Sequence, residues 1–476
     1  MSTTTTTTST ASGASTSTAS GTSTPSGTAT STGVLADYAS LGARRLATAD
    51  PHLSGLLERE HARQNDTLAM VAASSSADPS VLACAGATIS NVTTEGYPGA
   101  RYHAGCELVD EVERLAVDRA KHLFGAQYAN VQPHSGSTAN QIVLCTLMKP
   151  GDTLLGMELS AGGHLTHGSP ASVSGRFFQS VGYGTDADGI LDYDQVAELA
   201  RAYRPKVIVC GASAYPRTVD FARFRRIADE VGAFLLADIS HIAGLVAAGL
   251  HPSPVDHAHA TTTSTYKQLY GPRGGLILLG RDADLPLPGT RRTLAQAISH
   301  GTFPFLQGTP DLGAVAAKAR AFDIAAQPEF RTLAQRVVAD AAALADAFTG
   351  LGHTLVTGGT DNHMVLLNLG PSGLTGAIAE TALADCRIVV NRNRIPDDPH
   401  GPRVTSGIRF GTNTLALRAM GPAEMRRCAA LIDRVLGAVV PRGEREFTLD
   451  PAVRDEVRGE VTRLCREFPL PHHLPA

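Results

Sequence analysis

The sequence predicts an α/β protein, with a mostly parallel sheet covered on both faces by helices and a smaller α+β domain toward the C-terminus. From Glu107 onward, helical stretches such as VDEVERLAVDRAKHLFG and SGSTANQIVLCTLM alternate with short apolar runs, YANVQP, TLLGM, KVIVC, FLLAD and LILLG. Strands that alternate with helices build parallel sheets through helical crossovers. Near residue 318 the pattern changes to long amphipathic helices, AVAAKARAFDIA and TLAQRVVADAAALADAFTGLG, followed by short strands around HMVLLNL and CRIVVN. A helical stretch from Ala423 to Phe468 closes the chain.

Residues 1–33 are almost wholly Ser, Thr, Gly and Ala with one Pro. Such a segment buries too little apolar area to offset its chain entropy, so it is expected to be a disordered tail, and it lacks the charged start and apolar centre of a secretory signal. Residues 34–85 read as a helical arm. Val34 to Leu46 carries apolar residues at three-to-four spacing, and Asp50-Pro51 before HLSGLLEREHARQND looks like a cap with proline in the first turn. A Ser/Ala-rich loop, a short helix from Asp78-Pro79 and the turn EGYPG lead into the large domain, residues 86–317; the small domain is residues 318–476.

With 476 residues, 43% of them hydrophobic, the chain can bury a large core and should split into more than one domain. A net charge of −4 without long charged runs offers nothing to nucleic acid or a membrane surface. Seven scattered cysteines without paired short spacing argue for reduced thiols in a cytoplasmic protein. No apolar run approaches the ~20 residues that span a bilayer.

The chemistry is concentrated between Leu235 and Gly275, LLADISHIAGLVAAGLHPSPVDHAHATTTSTYKQLYGPRGG. An apolar run ends in Asp238, and Lys267 emerges from a Thr/Ser run shortly before a glycine-rich turn. A strand-end acid can keep a pyridinium nitrogen protonated, and a strand-end lysine can form a Schiff base with an aldehyde cofactor, the two needs of pyridoxal phosphate. Taken alone, the pair reads equally well as a strand cap and a solvated lysine. Ser135, Gly136 and Ser137 open a helix, where free N–H groups suit a phosphate, though a plain serine cap has the same pattern. Asp238, Ser213 and Ser135 all fall near strand ends and would converge on one crevice. A zinc site from His241, His251, His257 and His259 with Asp238 lacks any compact ligand spacing, so no metal is expected.

The segments GYPGARYHAGCELVD, QPHSGSTAN, GGHLTHGSP, GASAYPR, HIAGLVAAGLHPSP, GPRGGLIL, GGTDNH and TSGIR, in this order from about Leu56 to Cys465, resemble the serine hydroxymethyltransferase family. The resemblance implies the fold type I of pyridoxal-phosphate transferases, with a seven-stranded sheet in the large domain, and tetrahydrofolate as co-substrate. It implies a Schiff base on Lys267, Asp238 at the ring nitrogen, His164 flat on the ring, and His241 and Ser213 near the phenolic oxygen. Tyr266 and Arg273 fall among the cofactor residues. Arg409 would grip the substrate carboxylate, and Glu95 beside Tyr102 would move protons. Leu159, Gly163, Leu165 and Asn393 would hold the pterin. Active sites shared across a homodimer or tetramer are implied, with the arm crossing to a neighbour. The family's glycine-rich loop, which reaches the phosphate from a neighbouring subunit, corresponds to FPFLQGTP at 303–310, where Gly308 remains and most other glycines are gone.

The departures cluster. Thr93 and His103 stand where the family has tyrosines, Tyr266 where it has histidine, and Ala73 and Ser74 where it has serine and glutamate. His103 either assists at Cα or fills space. Lost volume at Thr93 and Ala73 gives room for a methyl on the substrate α-carbon, which points to D-alanine as acceptor and α-methylserine as product. The alternatives are an ordinary serine/glycine hydroxymethyltransferase, a folate-independent aldolase or transaldolase of β-hydroxy amino acids, and a catalytically silent binding protein.

Overall fold

The computed structural model describes residues 33–471, so the tail expected over residues 1–33 lies, Gly33 apart, outside the described residues. The arm is two helices, α1 (Val34–Ala49) and α2 (Pro51–Asn65), neither of which buries a residue. As the sequence suggested, the Asp50 side chain caps α2 at the Leu53 amide with Pro51 in the first turn.

The apolar runs assemble into a seven-stranded sheet of β1 (Tyr128–Asn130), β2 (Thr153–Met157), β3 (Gln179–Tyr183), β4 (Val207–Cys210), β5 (Phe234–Asp238), β6 (Ala260–Ser264) and β7 (Gly275–Leu279). Across the sheet the order is β1-β7-β6-β5-β4-β2-β3. The pairs β3–β2, β2–β4, β4–β5 and β5–β6 are parallel. β7 runs antiparallel to both β6 and β1. It is joined to β6 by the turn 265–274 alone, and a connection without a crossover helix cannot bring a strand back parallel.

Successive strand residues face opposite layers. Leu155, Ile208 and Leu235 join one core cluster while Leu154, Val207, Val209 and Leu236 join another, the period-two alternation of a sheet covered on both sides. Two strands were not marked by apolar runs. β3 is a half-exposed polar edge, and β6, the run ATTTS, is fully buried but built from threonine, whose branched Cβ favours strands.

A second sheet, β8 (Thr354–Leu355), β9 (Met364–Asn368), β10 (Asn391–Asn393) and β11 (Gly407–Gly411), is antiparallel in the order β8-β9-β11-β10. Its core also takes in Leu68 and Met70, because the short strand Leu68–Ala69 pairs with Ile388–Val389. Residue 318, where the sequence pattern changes, lies inside the helix Leu312–Ala325, which packs against helices Glu107–Phe124 and Pro79–Ala85. Lys318 Nζ donates to the carbonyls of Val131, Pro133 and Gly275 at 2.6, 3.1 and 2.9 Å, tying this helix to the large sheet. No described helix is long and apolar enough to cross a membrane.

Candidate active site

The parallel strands β2, β4, β5 and β6 end on one side of the sheet, and a cavity of about 210 Å³ opens there. It is lined by Ser135, Gly136, Ser137, His164, Ser213, Asp238, His241, Tyr266, Lys267 and Arg273, all of them sequence-expected cofactor residues.

Asp238 is the last residue of β5 and is buried. Its Oδ2 accepts from Asn140 Nδ2 at 2.7 Å and lies 3.1 Å from His167 Nε2, while Oδ1 accepts from the Ser240 amide at 3.0 Å. Burial opposes its charge, but the His167 hydrogen bond, the neighbouring imidazoles and the Ser240 amide outweigh that and hold the carboxyl well below the usual range. Lys267 lies three residues past the end of β6 and is only 7% exposed. Burial brings its ammonium down to about 8, with Asp238 pulling it up and Arg409 pushing it down. Its amine is therefore far easier to deprotonate than a surface lysine's.

The helix Gly136–Leu147 points its N-terminus into the cavity. Ser135 Oγ is spent on the cap, accepting from the Thr138 amide at 3.0 Å, so the amides of Gly136 and Ser137 are left without partners among the described residues. A Cβ at Gly136 would lie 3.1 Å from Ser264 and 3.3 Å from Ser240 Oγ, so glycine lets the helix start against β6. His241 Nδ1 and Ser264 Oγ are buried without partners among the described residues. Two free amides at a helix start, orphaned polar atoms, an ionised acid and a desolvated lysine fit pyridoxal phosphate: the amides suit its phosphate, Asp238 its ring nitrogen and Lys267 its aldehyde.

Arg409, on β11, is not among the residues that line this cavity, but it joins the small sheet to the cavity wall through Ser213. It is buried, bonds Asn391 Oδ1 through Nε at 3.2 Å and Nη2 at 3.1 Å, and reaches the Ser213 carbonyl through Nη1. No carboxylate of the described residues pairs with it, and burial lowers it to about 10. Tyr266 lies under the Arg273 guanidinium at 4.3 Å and 5.9 Å from Lys267 Nζ. Burial lowers His164 to about 4 and takes His241 well below its ordinary value, so both rings are neutral. The histidines weighed as zinc ligands do not gather at Asp238: His251 Nδ1 pairs with the Pro252 carbonyl and His259 Nδ1 accepts from the Leu235 amide. His164 and His167 gather there instead, with ligand atoms within 4.8 Å of each other and of Asp238, a grouping that the His167–Asp238 hydrogen bond explains.

Other expected residues lie elsewhere. Glu95, Thr93, Tyr102, His103 and Gly308 do not line the Lys267 cavity of their own chain. Tyr102 is 75% exposed, packs edge-on to Phe303, and donates its amide to the Glu95 carbonyl at 3.0 Å. A Cβ on Gly308 would lie 3.2 Å from Glu95 Oε1, so loop 303–310 meets the EGYPG turn within one chain. Gln307 anchors that loop by accepting from the His134 amide and donating to the Gln132 carbonyl. Ala73 sits on a loop whose Ser75 hydroxyl donates to the Tyr266 carbonyl. Leu159 and Leu165 are exposed, Gly163 fits where a Cβ would strike the Met157 carbonyl, and Asn393 ends β10.

Sequence reasoning missed Asn140, His167 and Ser240, and read Ser264 only as a small residue of the run before Lys267. Asn140 carries Asp238, Thr166 and Thr262 on one side chain. Its signal was its place one turn after Gly136 on the helix aimed at the cavity; His167 had one too, three residues after His164.

The serine hydroxymethyltransferase family model matches residues 46–432 of this chain. That span takes in the seven-stranded sheet, Asp238, Lys267 and Arg409. The chain thus belongs to the serine hydroxymethyltransferase family, enzymes that transfer one-carbon units with pyridoxal phosphate held as a Schiff base on a lysine and tetrahydrofolate as co-substrate.

Proposed function

We propose that this enzyme transfers a hydroxymethyl group from the folate to D-alanine, yielding α-methylserine. The observation that carries this reading is the pair of small residues, Thr93 and Ala73, at positions where ordinary members have tyrosine and serine. Glycine keeps a hydrogen where D-alanine has a methyl. An overpacked pocket costs ~1–3 kcal/mol, roughly ten- to hundredfold in rate, so space for that methyl decides the acceptor. The Ala73 loop supports a place beside the substrate: it touches Tyr266 through Ser75, and Ala72 lies against Gly411 at the end of the Arg409 strand.

Pyridoxal phosphate, when bound, supplies an electron sink for the bond broken at Cα. The side chains divide the remaining work. Asp238 stays ionised through the working pH range and holds a proton at the ring nitrogen. The Gly136 and Ser137 amides, with the Ser135 hydroxyl as donor and Arg273, would hold the phosphate, His164 would cover the ring, and His241 and Ser213 would serve the phenolic oxygen. Lys267, at about 8, gives up and takes back a proton near neutrality, as amine exchange requires. Arg409 holds the α-carboxylate and so fixes which bond at Cα is broken. Glu95, with Tyr102 beside it, moves a proton at the hydroxymethyl oxygen, and Leu159, Gly163, Leu165 and Asn393 hold the pterin.

Glu95, Tyr102, Thr93, His103 and Gly308 lie outside their own chain's Lys267 cavity, which supports their acting on a neighbour's cavity in a homodimer or tetramer. Product analysis tests the reading. Enzyme given D-alanine and methylenetetrahydrofolate should form α-methylserine, and formation should stop without folate. Serine from glycine with no α-methylserine would mark an ordinary member, and folate-independent cleavage of threonine an aldolase.

A further inference from the structure

Beside the Lys267 cavity lies another of about 290 Å³, and the two share His164. Its lining includes Glu158, Leu159, Ser160 and Arg394. Arg394 directly follows Asn393, the last residue of β10. Its carbonyl accepts from Asn393 Nδ2, but the guanidinium makes only one hydrogen bond among the described residues, a long one of 3.5 Å from Nη2 to the Asp398 carbonyl. Its Nε is buried without a partner among the described residues. No carboxylate of the described residues is paired with it, Glu158 included; the Glu158 carboxylate accepts from Ser160 Oγ at 3.1 Å instead.

A half-buried guanidinium without a counter-charge is poorly satisfied until a ligand supplies one, and its planar fork matches a carboxylate. The one-carbon donor must approach the Lys267 cavity, and this neighbouring cavity meets it at His164. Of the charged side chains in the lining, Glu158 repels an anion and suits N–H donors while Arg394 attracts one, so a ligand's negative end goes to Arg394. We propose that Arg394 binds the glutamate carboxylate of the reduced folate. This rests on the reading that Leu159 and Asn393 border the folate, and it assigns to Arg394 a recognition role that those residues lack.

The test is calorimetric titration of the holoenzyme with tetrahydropteroylglutamate and with tetrahydropteroate, the same molecule without its glutamate. Arg394→Met keeps the apolar stem and removes the fork. It should weaken binding of the glutamate-bearing form about tenfold and that of tetrahydropteroate less than twofold, with Arg394→Lys in between. The visible absorbance of the bound cofactor should be unchanged in every variant, which shows that the fold is intact. An equal loss for both ligands, or no loss for either, would overturn the assignment while leaving folate use standing. Wild-type enzyme that binds neither ligand would instead remove the folate reading, and this proposal with it.

Discussion

Removing the Lys267 charge should stabilise the cofactor-free protein, and only below a defined pH. The ammonium is 7% exposed and donates no hydrogen bond among the described residues. Burial takes it from 10.5 in the open chain to about 8 in the fold. Below pH 8 folded and unfolded chains both carry the proton, and the folded state bears the full cost of desolvating it. Between pH 8 and 10.5 the folded lysine loses its proton first, so the cost is relieved as pH rises, and above 10.5 none is left. The difference of 10.5 and about 8 corresponds to about 3 kcal/mol. Lys267→Met keeps the volume and removes the charge. Apoenzyme with this substitution should resist urea better than wild type at pH 7, and its advantage should shrink steadily from pH 8 to 10.5. A variant no more stable than wild type at pH 7, or one whose advantage is the same at pH 10.5, would refute the claim that the fold holds this amine in a desolvated place.

Three further outcomes follow from the same geometry. Asp238→Asn removes the buried charge proposed to hold the ring nitrogen's proton and sets an amide donor against the donors Asn140 and Ser240; kcat should fall about 10³-fold with the cofactor still visible by absorbance. Arg409→Lys cannot span Asn391, Ser213 and a carboxylate together, so the amino-acid KM should rise about 10²-fold while cofactor affinity stays within twofold, as equilibrium dialysis would read. Gly136→Ala places a methyl 3.1 Å from Ser264 and should weaken cofactor binding about tenfold through a displaced helix start, measured by the same dialysis.

The acid at the end of β5 and the lysine after β6 were legible because each breaks its surroundings: a carboxylate after FLLA, an amine after a threonine run. The helix start at Ser135 was legible as a phosphate site with free N–H groups, but which amides stay free was not, since that depends on Ser135 Oγ turning to the Thr138 amide. β3 was missed because an edge strand needs apolar residues on one face at most, and the QSVGY edge is mostly open to solvent. The reversal of β7 depends on the absence of a helix between residues 265 and 274, which a glycine-rich turn hints at without fixing direction. That helix Leu312–Ala325 packs with the large sheet could not be read from its amphipathic pattern, because a stripe says that a face is covered and not by what. Lys318 held the clue, a charge in an otherwise alanine-rich buried face, which needs carbonyls at strand ends. The position of Glu95 and Tyr102 away from the Lys267 cavity was not derivable from spacing at all; a turn and a helix start far apart in the chain can meet within one subunit or across two.

The substrate claim is tested most directly by offering D-alanine and glycine together with methylenetetrahydrofolate and measuring the ratio of their kcat/KM values. The ratio should favour D-alanine by at least about tenfold, the size of one relieved methyl contact. Thr93→Tyr should reverse it. A wild-type ratio favouring glycine would contradict the account of a pocket opened at Thr93 and Ala73.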